Sequence, residues 1–263
     1  MKFSIVTVSF NQARFLEAAM QSVFAQSYRD IEYIVVDAGS TDGSRDLIRR
    51  NHRRISKTVF EPDKGAADGL NKGFALASGD VYAFLNSDDV LLPGAIARVA
   101  AHFVAHPETD ILMGHAVILD EDGNAFRRAY TDRFEPALFA YSAGITCQHS
   151  TFFRAELFHQ TKGFDANNKV AWDAELFLDL LLAARHPLYV DDFLGGFRIH
   201  RNSITGSNRM AEDYRAYERA RFARIMGRPW RHSDWVFWLL YRLRKYARSP
   251  RALWEVLRRG SIR

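Results

Sequence analysis

The 263-residue chain contains one cysteine, Cys147, so no disulfide can form within it, which suits a reducing cytosolic setting. Prolines number only seven, and there is neither an internal repeat nor a low-complexity segment. Long apolar runs are missing. The longest, Trp235 to Tyr241, is far short of the roughly 20 residues that a membrane-crossing helix needs. No basic segment followed by an apolar one precedes the strand-like stretch KFSIVTVSF, so no secretory leader is expected. Two phosphate-binding signatures are also absent. After the first strand comes Ser9-Phe10-Asn11-Gln12-Ala13-Arg14, with no glycine to let backbone approach a dinucleotide pyrophosphate. Gly65-Ala66-Ala67-Asp68-Gly69-Leu70-Asn71-Lys72 lacks the Gly-Lys-Ser/Thr ending of a phosphate-cradling loop.

What is present is an ordinary soluble composition, 48% hydrophobic and 25% charged, long enough for one large α/β domain or one domain with an appendage. Charge is uneven. Residues 201–263 carry 16 Lys+Arg against 5 Asp+Glu, whereas residues 1–200 carry 20 against 26. A basic tail on an acidic body points to an anionic partner for the tail, such as lipid headgroups or nucleic acid.

The first half alternates strand and helix. Strands are expected at Phe3–Val8, Ile31–Val36, Thr58–Phe60 and Val81–Leu85, from β-branched residues bounded by polar turns. Helices are expected at Gln12–Phe24 with Asn11 as N-cap, after Asp42 or Ser44, at Ala66–Ala77 and at Gly94–Ala105 after Pro93. This rhythm predicts a mainly parallel central sheet covered by helices on both faces, with ligands beyond the carboxyl ends of the strands. The second half is less regular. A hairpin spans Ile111–Leu119 and Ala125–Tyr130, strands follow at Thr146–Arg154 and Pro187–Phe193, and Val170–Ala184 reads as a helix.

At the fourth strand's tip the chain reads Asn86-Ser87-Asp88-Asp89. Two adjacent carboxylates repel each other, so either the tip is merely solvated or something positive sits there. Mg²⁺ and Mn²⁺ prefer oxygen ligands, commonly one or two carboxylates plus substrate phosphates, and Asp88 with Asp89 would supply that pair.

Five pieces in order resemble family 2 glycosyltransferases: SIVTVSFNQARFLEAAMQSVFAQ, IEYIVVDAGSTDGS, EPDKGAADGLNKGFALASGD, FLNSDDVLLPGAI and CQHSTFFRAELFHQTKGFDANNKVAWDAELFLDLLLA. The resemblance implies the GT-A nucleotide-diphospho-sugar transferase fold over residues 1–205. Its nucleotide-sugar-binding half would be 1–105 and its acceptor half 106–205, with 206–263 a basic, aromatic, helical C-terminal region. It also implies a nucleotide-diphosphate sugar donor, UDP-sugar favoured, and a divalent metal, Mn²⁺ or Mg²⁺. Asp88 matches the closing Asp of the metal-binding element, Asn86 its first position, and Asp89 follows. Asp37 matches the acid that hydrogen-bonds the donor base, although a turn-capping role fits its spacing as well. Asp63, Lys64 and Asn71 match the segment lining the nucleotide diphosphate. Thr7, Ser9 and Ser87 complete the donor-side candidates. Three positions depart from the family pattern: Ala38 and Asn86 stand where Asp is usual, and Trp172 where Glu is.

Inverting transfer requires a base for the acceptor hydroxyl. By the same resemblance Asp173 is that base, with helix capping as the alternative. Trp172 beside it would exclude water or stack on a sugar. His149, Arg198 and His200 are expected near the donor phosphates. In the tail, Trp235, Trp238, Leu239 and Leu243 share a helix face, and Arg242, Arg244, Lys245 and Arg248 ring the other side. Residues 234–263 therefore suit either a membrane interface or packing on the catalytic domain. No nucleic-acid reader motif is present.

Together these features predict a metal-assisted, inverting enzyme in cell-envelope glycan biosynthesis. It would add one sugar to a lipid-linked or polysaccharide acceptor from the cytoplasm, peripheral to the inner face of the membrane. The alternatives are a catalytically silent sugar-nucleotide-binding protein of the same fold, and a nucleotidyltransferase. The second lacks its expected glycine-rich loop.

Overall fold

The computed structural model describes residues 1–201, 203 and 210–260. Its centre is one sheet with strands in the order β3-β2-β1-β4-β8-β6-β9-β5, and β7 (Ala125–Ala129) pairs with β6 off that path. Four strands, β3 (Lys57–Val59), β2 (Ile31–Asp37), β1 (Phe3–Ser9) and β4 (Val81–Asn86), run parallel. Beyond β4 the sheet is mixed. β8 (Thr151–Arg154) is antiparallel to both β4 and β6 (Ile111–Leu119), and β9 (Pro187–Arg198) is parallel to β6. The parallel sheet expected from the sequence is thus the N-terminal half.

Alternation along the strands feeds two separate cores. Phe3 and Ile5 of β1, Tyr33 and Val35 of β2, and Val81, Ala83 and Leu85 of β4 face one side. There they meet α1 (Ala13–Phe24), α2 (Ser44–Arg50) and α4 (Ala95–Ala105). Val6, Val8, Ile34, Val36, Tyr82 and Phe84 face the other side, under α3 (Ala66–Phe74) and α7 (Trp172–Ala183). Period-two burial on both faces is what a doubly covered sheet requires. In α1 the buried residues Phe15, Leu16, Ala19, Met20 and Val23 recur at helical spacing.

Two local expectations give way to longer-range contacts. Asn11 does not cap α1; it has φ 52° and accepts the N–H of Thr41 at 2.9 Å. Asp42 takes over that role, accepting the N–H of Ala13 through Oδ2 at 2.8 Å and that of Ser44 through Oδ1 at 3.0 Å. One carboxylate therefore caps two helices. Gly195-Gly196 does not end the ninth strand, which continues to Arg198. A Cβ at Gly195 would stand 2.3 Å from the carbonyl oxygen of His149, so glycine there permits close approach of backbones. A two-residue strand, β5 (Val90–Leu91), pairs with this glycine stretch.

The C-terminal helices are α8 (Ala211–Met226), α9 (Asp234–Arg248) and α10 (Pro250–Arg259). Phe222 of α8 is buried against Tyr141 and Trp230, just beyond α5 (Pro136–Ala140). Asp234, at the start of α9, accepts the hydroxyl of Tyr141 at 2.8 Å and both guanidinium nitrogens of Arg228 at 2.7 Å. No described helix is long and apolar enough to cross a membrane.

Gly73 tests how tightly α3 lies on the sheet. An added Cβ would meet Val6 Cγ1 at 2.3 Å and Val36 Cγ2 at 3.2 Å. Helix propensity alone favours Gly73→Ala by about 1 kcal/mol, whereas overpacking costs about 1–3 kcal/mol. Packing is expected to win, so Gly73→Ala should lower the calorimetric melting midpoint; a rise would show that α3 can shift away.

Candidate active site

Register sets the site. Ser9 pairs with Asp37 and Val8 with both Val36 and Asn86, so three parallel strands end level with one another. A cleft of about 510 Å³ opens beyond those ends. Ser9 and Phe10 form one wall, and Asn86, Ser87 and Asp88 line the tip of β4. Trp172, Asp173 and Phe197 come from the second half of the chain. A larger cavity of about 690 Å³ lies at the other end of the sheet, around Asp80, Asp110, Arg154 and Arg185. Ligands of such sheets bind at the carboxyl ends, so the smaller cleft is the candidate.

The two adjacent aspartates are sent to different environments. Asp88 lines the cleft, its side chain 18% exposed, and its Oδ2 lies 3.0 Å from Nε2 of His200. His200 is buried with its ring 4.6 Å from that of Phe15. Asp89, expected beside Asp88 as a metal ligand, is fully buried and turned inward. Its Oδ1 accepts the main-chain N–H of Arg198 at 3.0 Å, and Oδ2 accepts the Asn86 amide at 3.4 Å. Burial, and then the charge of Asp88, push the Asp89 carboxyl well above the usual range.

Arg198 was expected on a phosphate. Its guanidinium is instead committed to backbone: Nε donates to the Asp88 carbonyl at 2.9 Å, and Nη1 to those of Asp120 and Glu121, each at 3.2 Å. Asn71 likewise serves the framework. It donates to the Phe164 carbonyl at 2.7 Å and accepts the Phe164 N–H at 3.0 Å, tying α3 to the loop before α7. Asp37 is fully buried, and its carboxylate accepts from Ser40, Gly39 and Arg45 Nε, the last at 2.8 Å. Burial alone would raise its pKa, but these donors outweigh it and hold the carboxyl below its ordinary value. It shapes the turn that places Ala38 on the cleft wall. Thr7 is buried with its hydroxyl on that of Tyr33 at 3.1 Å, away from the cleft.

Asp63 lines the cleft, with burial raising its pKa, and Lys64 beside it is exposed. Ser9 Oγ and Ser87 lie at the cleft, and the Ser9 hydroxyl finds no partner among the described residues. His149 is buried under Phe197, ring planes within 5° of parallel, and burial drives its pKa down to about 3. It is therefore a neutral imidazole packed behind the wall.

Asp173 stands in the first turn of α7, lining the cleft, and accepts the N–H of Ala174 at 2.8 Å. Burial raises its pKa and outweighs that hydrogen bond. Trp172 is buried between Phe84 and Phe164, so it dries the ground under Asp173. Glu175 is turned away and holds Asn168 at 2.6 Å. Residues not anticipated from sequence complete the surroundings. Phe10 is 60% exposed at the cleft edge, and Gln148 accepts from Asn86 at 3.0 Å while donating to the Phe84 carbonyl at 3.1 Å. Tyr217 of α8 lies close enough to Asp173 for that charge to help raise its pKa, after burial.

Among the described residues, no group of three or more His, Cys, Asp or Glu is gathered to hold a metal. Asp88 and His200 form a pair at the cleft, and Asn86, whose Nδ2 is engaged, has an amide oxygen to offer. A divalent cation that takes its remaining ligands from phosphates and water needs no more than this from the protein.

Residues 4–161 match the sequence model of glycosyl transferase family 2. An uncharacterized glycosyltransferase of Nostoc sp. is 37% identical over 134 residues, 50% of this chain and 41% of that protein, so the chain spans less than half of that relative. A PGL/p-HBAD biosynthesis glycosyltransferase of Mycobacterium tuberculosis is 29% identical over 65% of this chain and 67% of its own length. Among solved structures, S. aureus TarS superposes with a TM-score of 0.69 at 17% identity, covering 94% of this chain and 43% of that one. Mannosyltransferase PcManGT from Pyrobaculum calidifontis, in complex with GDP-Man and Mn²⁺, superposes at 0.63 and 17% identity over 99% of this chain and 76% of that one. The fold they share is the GT-A fold expected from the sequence.

Arg198→Ala separates clamp from phosphate contact. Removing the side chain takes the only side-chain donor from the carbonyls of Asp88 and Glu121, while that of Asp120 keeps the Gly123 N–H, so stability in urea should fall by about 1–3 kcal/mol. A weaker donor affinity at unchanged stability would instead assign Arg198 to the ligand.

Proposed function

We propose, from the premise that this chain belongs to glycosyl transferase family 2, that it transfers one sugar from a nucleotide-diphosphate donor to a lipid-linked or polysaccharide acceptor, with inversion. A UDP-sugar is the favoured donor and cell-envelope glycan synthesis the setting. Support for the donor class comes from solved TarS complexes with UDP and UDP-GlcNAc, which share the fold. The relative described as a PGL/p-HBAD biosynthesis glycosyltransferase supports a glycolipid-type acceptor. The single observation that carries the proposal is that Asp88 and Asp173, from the two halves of the chain, line one cleft beyond the strand ends.

The chemistry divides between those two carboxylates. Asp88 and His200, with the Asn86 amide, would hold Mn²⁺ or Mg²⁺ at the donor diphosphate. Such an ion supplies positive charge to a departing diphosphate. Asp89 keeps the tip in place rather than binding the ion. Phe10 offers an apolar face to a nucleobase at the cleft edge. On the acceptor side, Asp173 takes the hydroxyl proton as the acceptor oxygen bonds to the anomeric carbon. The bond from that carbon to the phosphate oxygen breaks on the opposite face, and the electron pair leaves with the diphosphate. A carboxylate in a half-dry pocket is a stronger base than one in water, which suits proton abstraction.

Asp173→Asn is expected to reduce transfer by roughly 10²–10⁴-fold while Mn²⁺-dependent donor binding, read by calorimetry, survives. Asp88→Ala should weaken that binding. Near-wild-type turnover in both variants would end the proposal, and donor binding without turnover by the unaltered protein would favour a silent binding protein.

The raised pKa of Asp173 has two consequences of opposite sign. Activity requires the carboxylate, so kcat/KM should fall on acidification with an apparent pKa above the ordinary value of about 3.9. Folding favours the protonated form, so its stabilising contribution is complete below the unfolded-state pKa and is lost as pH rises through the folded one. At neutral pH, Asp173→Asn should therefore melt higher than the unaltered protein. A lower melting midpoint would show that the charge at the helix start is stabilising.

A further inference from the structure

The chain's most exposed apolar surface is on its C-terminal helices, and α9 wears its apolar side outward. The stripe that it packs inward is Asp234, Trp238, Tyr241 and Lys245, and both ends are ionic. Asp234 is held by Arg228 and Tyr141, and Lys245 pairs with the half-buried Asp132 at 3.0 Å. On the opposite side, Trp235, Val236, Leu239, Leu240 and Leu243 are 40–61% exposed. Helical spacing places these five within one arc, with Arg242 at one border and Arg244 at the other. After Ser249, α10 exposes Trp254 and Leu257 as well, at 54% and 76%. A surface helix of a water-soluble fold turns this kind of face inward, so something other than water is its natural neighbour.

Charge identifies that neighbour. Residues 228–260 carry nine Lys+Arg against two Asp+Glu; of the nine, Arg244 and Arg248 pair with Glu135, Lys245 with Asp132 and Arg251 with Asp191, carboxylates from outside this stretch. Both acids are buried, Asp234 against Arg228 and Glu255 beside Arg259 at 3.7 Å, so neither lends negative charge to the surface. Among the described residues Arg242 and Arg258 meet no carboxylate within ion-pair distance. Each lies over an indole instead, Arg242 at 4.4 Å from Trp238 and Arg258 at 4.9 Å from Trp254. A second copy of the chain on this face would bring arginine against arginine, a like-charge contact that disfavours pairing. An apolar arc with indoles and a guanidinium border suits the boundary between acyl chains and anionic headgroups.

We propose that α9 and α10 dock the protein on the surface of an anionic lipid bilayer. Trp235, Leu239 and Leu243 enter the acyl boundary, and Arg242 lies among the headgroup phosphates. No helix crosses the bilayer; α9 rests along it. This holds whether or not the transfer reaction is as proposed above, because docking involves neither Asp88 nor Asp173.

The test mixes the full chain with sedimentable vesicles of phosphatidylcholine alone or of phosphatidylcholine with phosphatidylglycerol, without donor or metal. Apparent affinity for the phosphatidylglycerol vesicles should be at least about tenfold higher, decline with added salt, and accompany a blue shift of tryptophan emission. The double variant Leu239→Glu/Leu243→Glu should lose binding with its melting curve unchanged, since both residues are exposed. Arg242→Glu should weaken binding to phosphatidylglycerol vesicles selectively. Protein left in the supernatant with phosphatidylglycerol at low salt overturns the proposal. So does light scattering that shows a dimer split by the double variant, because the face would then belong to a second copy.

Discussion

The carboxyl end of β4 is knitted to the end of β9 by one residue, and the cleft depends on that seam. Arg198 gives its main-chain N–H to the Asp89 carboxylate and its guanidinium to the carbonyls of Asp88, Asp120 and Glu121, with Phe15 beneath the guanidinium at 5.3 Å. Backbone acceptors left dry and unmatched at a strand tip would be costly, so this cation stabilises the tip by satisfying them. It also decides which aspartate turns inward. Asp89 is enclosed, its carboxyl pushed above the usual range chiefly by burial, and Asp88 is the member of the pair that faces the cleft.

Water exclusion does the corresponding work on the acceptor side. Trp172 stands where a carboxylate is usual in the family, and it removes a competing charge next to Asp173 as well as hydration beneath it. The position retains one main-chain donor, from Ala174, enough to aim the carboxylate without quenching its basicity. Helix α8 adds tyrosines on this side. Like Asp173 itself, it lies beyond the stretch that matches the family model.

The parallel half of the fold was legible because its signals are local: β-branched runs, polar tips and amphipathic helices follow one another at regular spacing. Level strand ends follow from parallel register, which is why Ser9, Asn86 and Asp88 line one cleft; Asp173, on α7, was singled out only by the family resemblance. Other parts were hidden because their partners are remote in sequence. Asn71 and Phe164 are 93 residues apart, and Arg198 reaches Asp88 across 110. Nothing near an asparagine or arginine in the chain tells whether its polar atoms serve a ligand or a carbonyl. The burial of Asp37 and Asp89 was hidden for the same reason, since a carboxylate enclosed by donors is spelled like one open to solvent. Gly195-Gly196 looked like a strand end, yet it marks the place where two backbones nearly touch. The tail's face was visible as a pattern, but Trp238 and Lys245 proved to be on the packed side, and only three-dimensional contacts could assign them.

The reciprocal pair of hydrogen bonds between the Asn71 side chain and the Phe164 backbone joins the N-terminal half of the chain to the C-terminal half through one amide. Gly163, at φ 69° and with room for no side chain beside Asn71 Oδ1, keeps that junction close. Acceptor loops borrowed from a relative would thus inherit their alignment with the donor only if the amide at position 71 and the glycine at position 163 were carried along together.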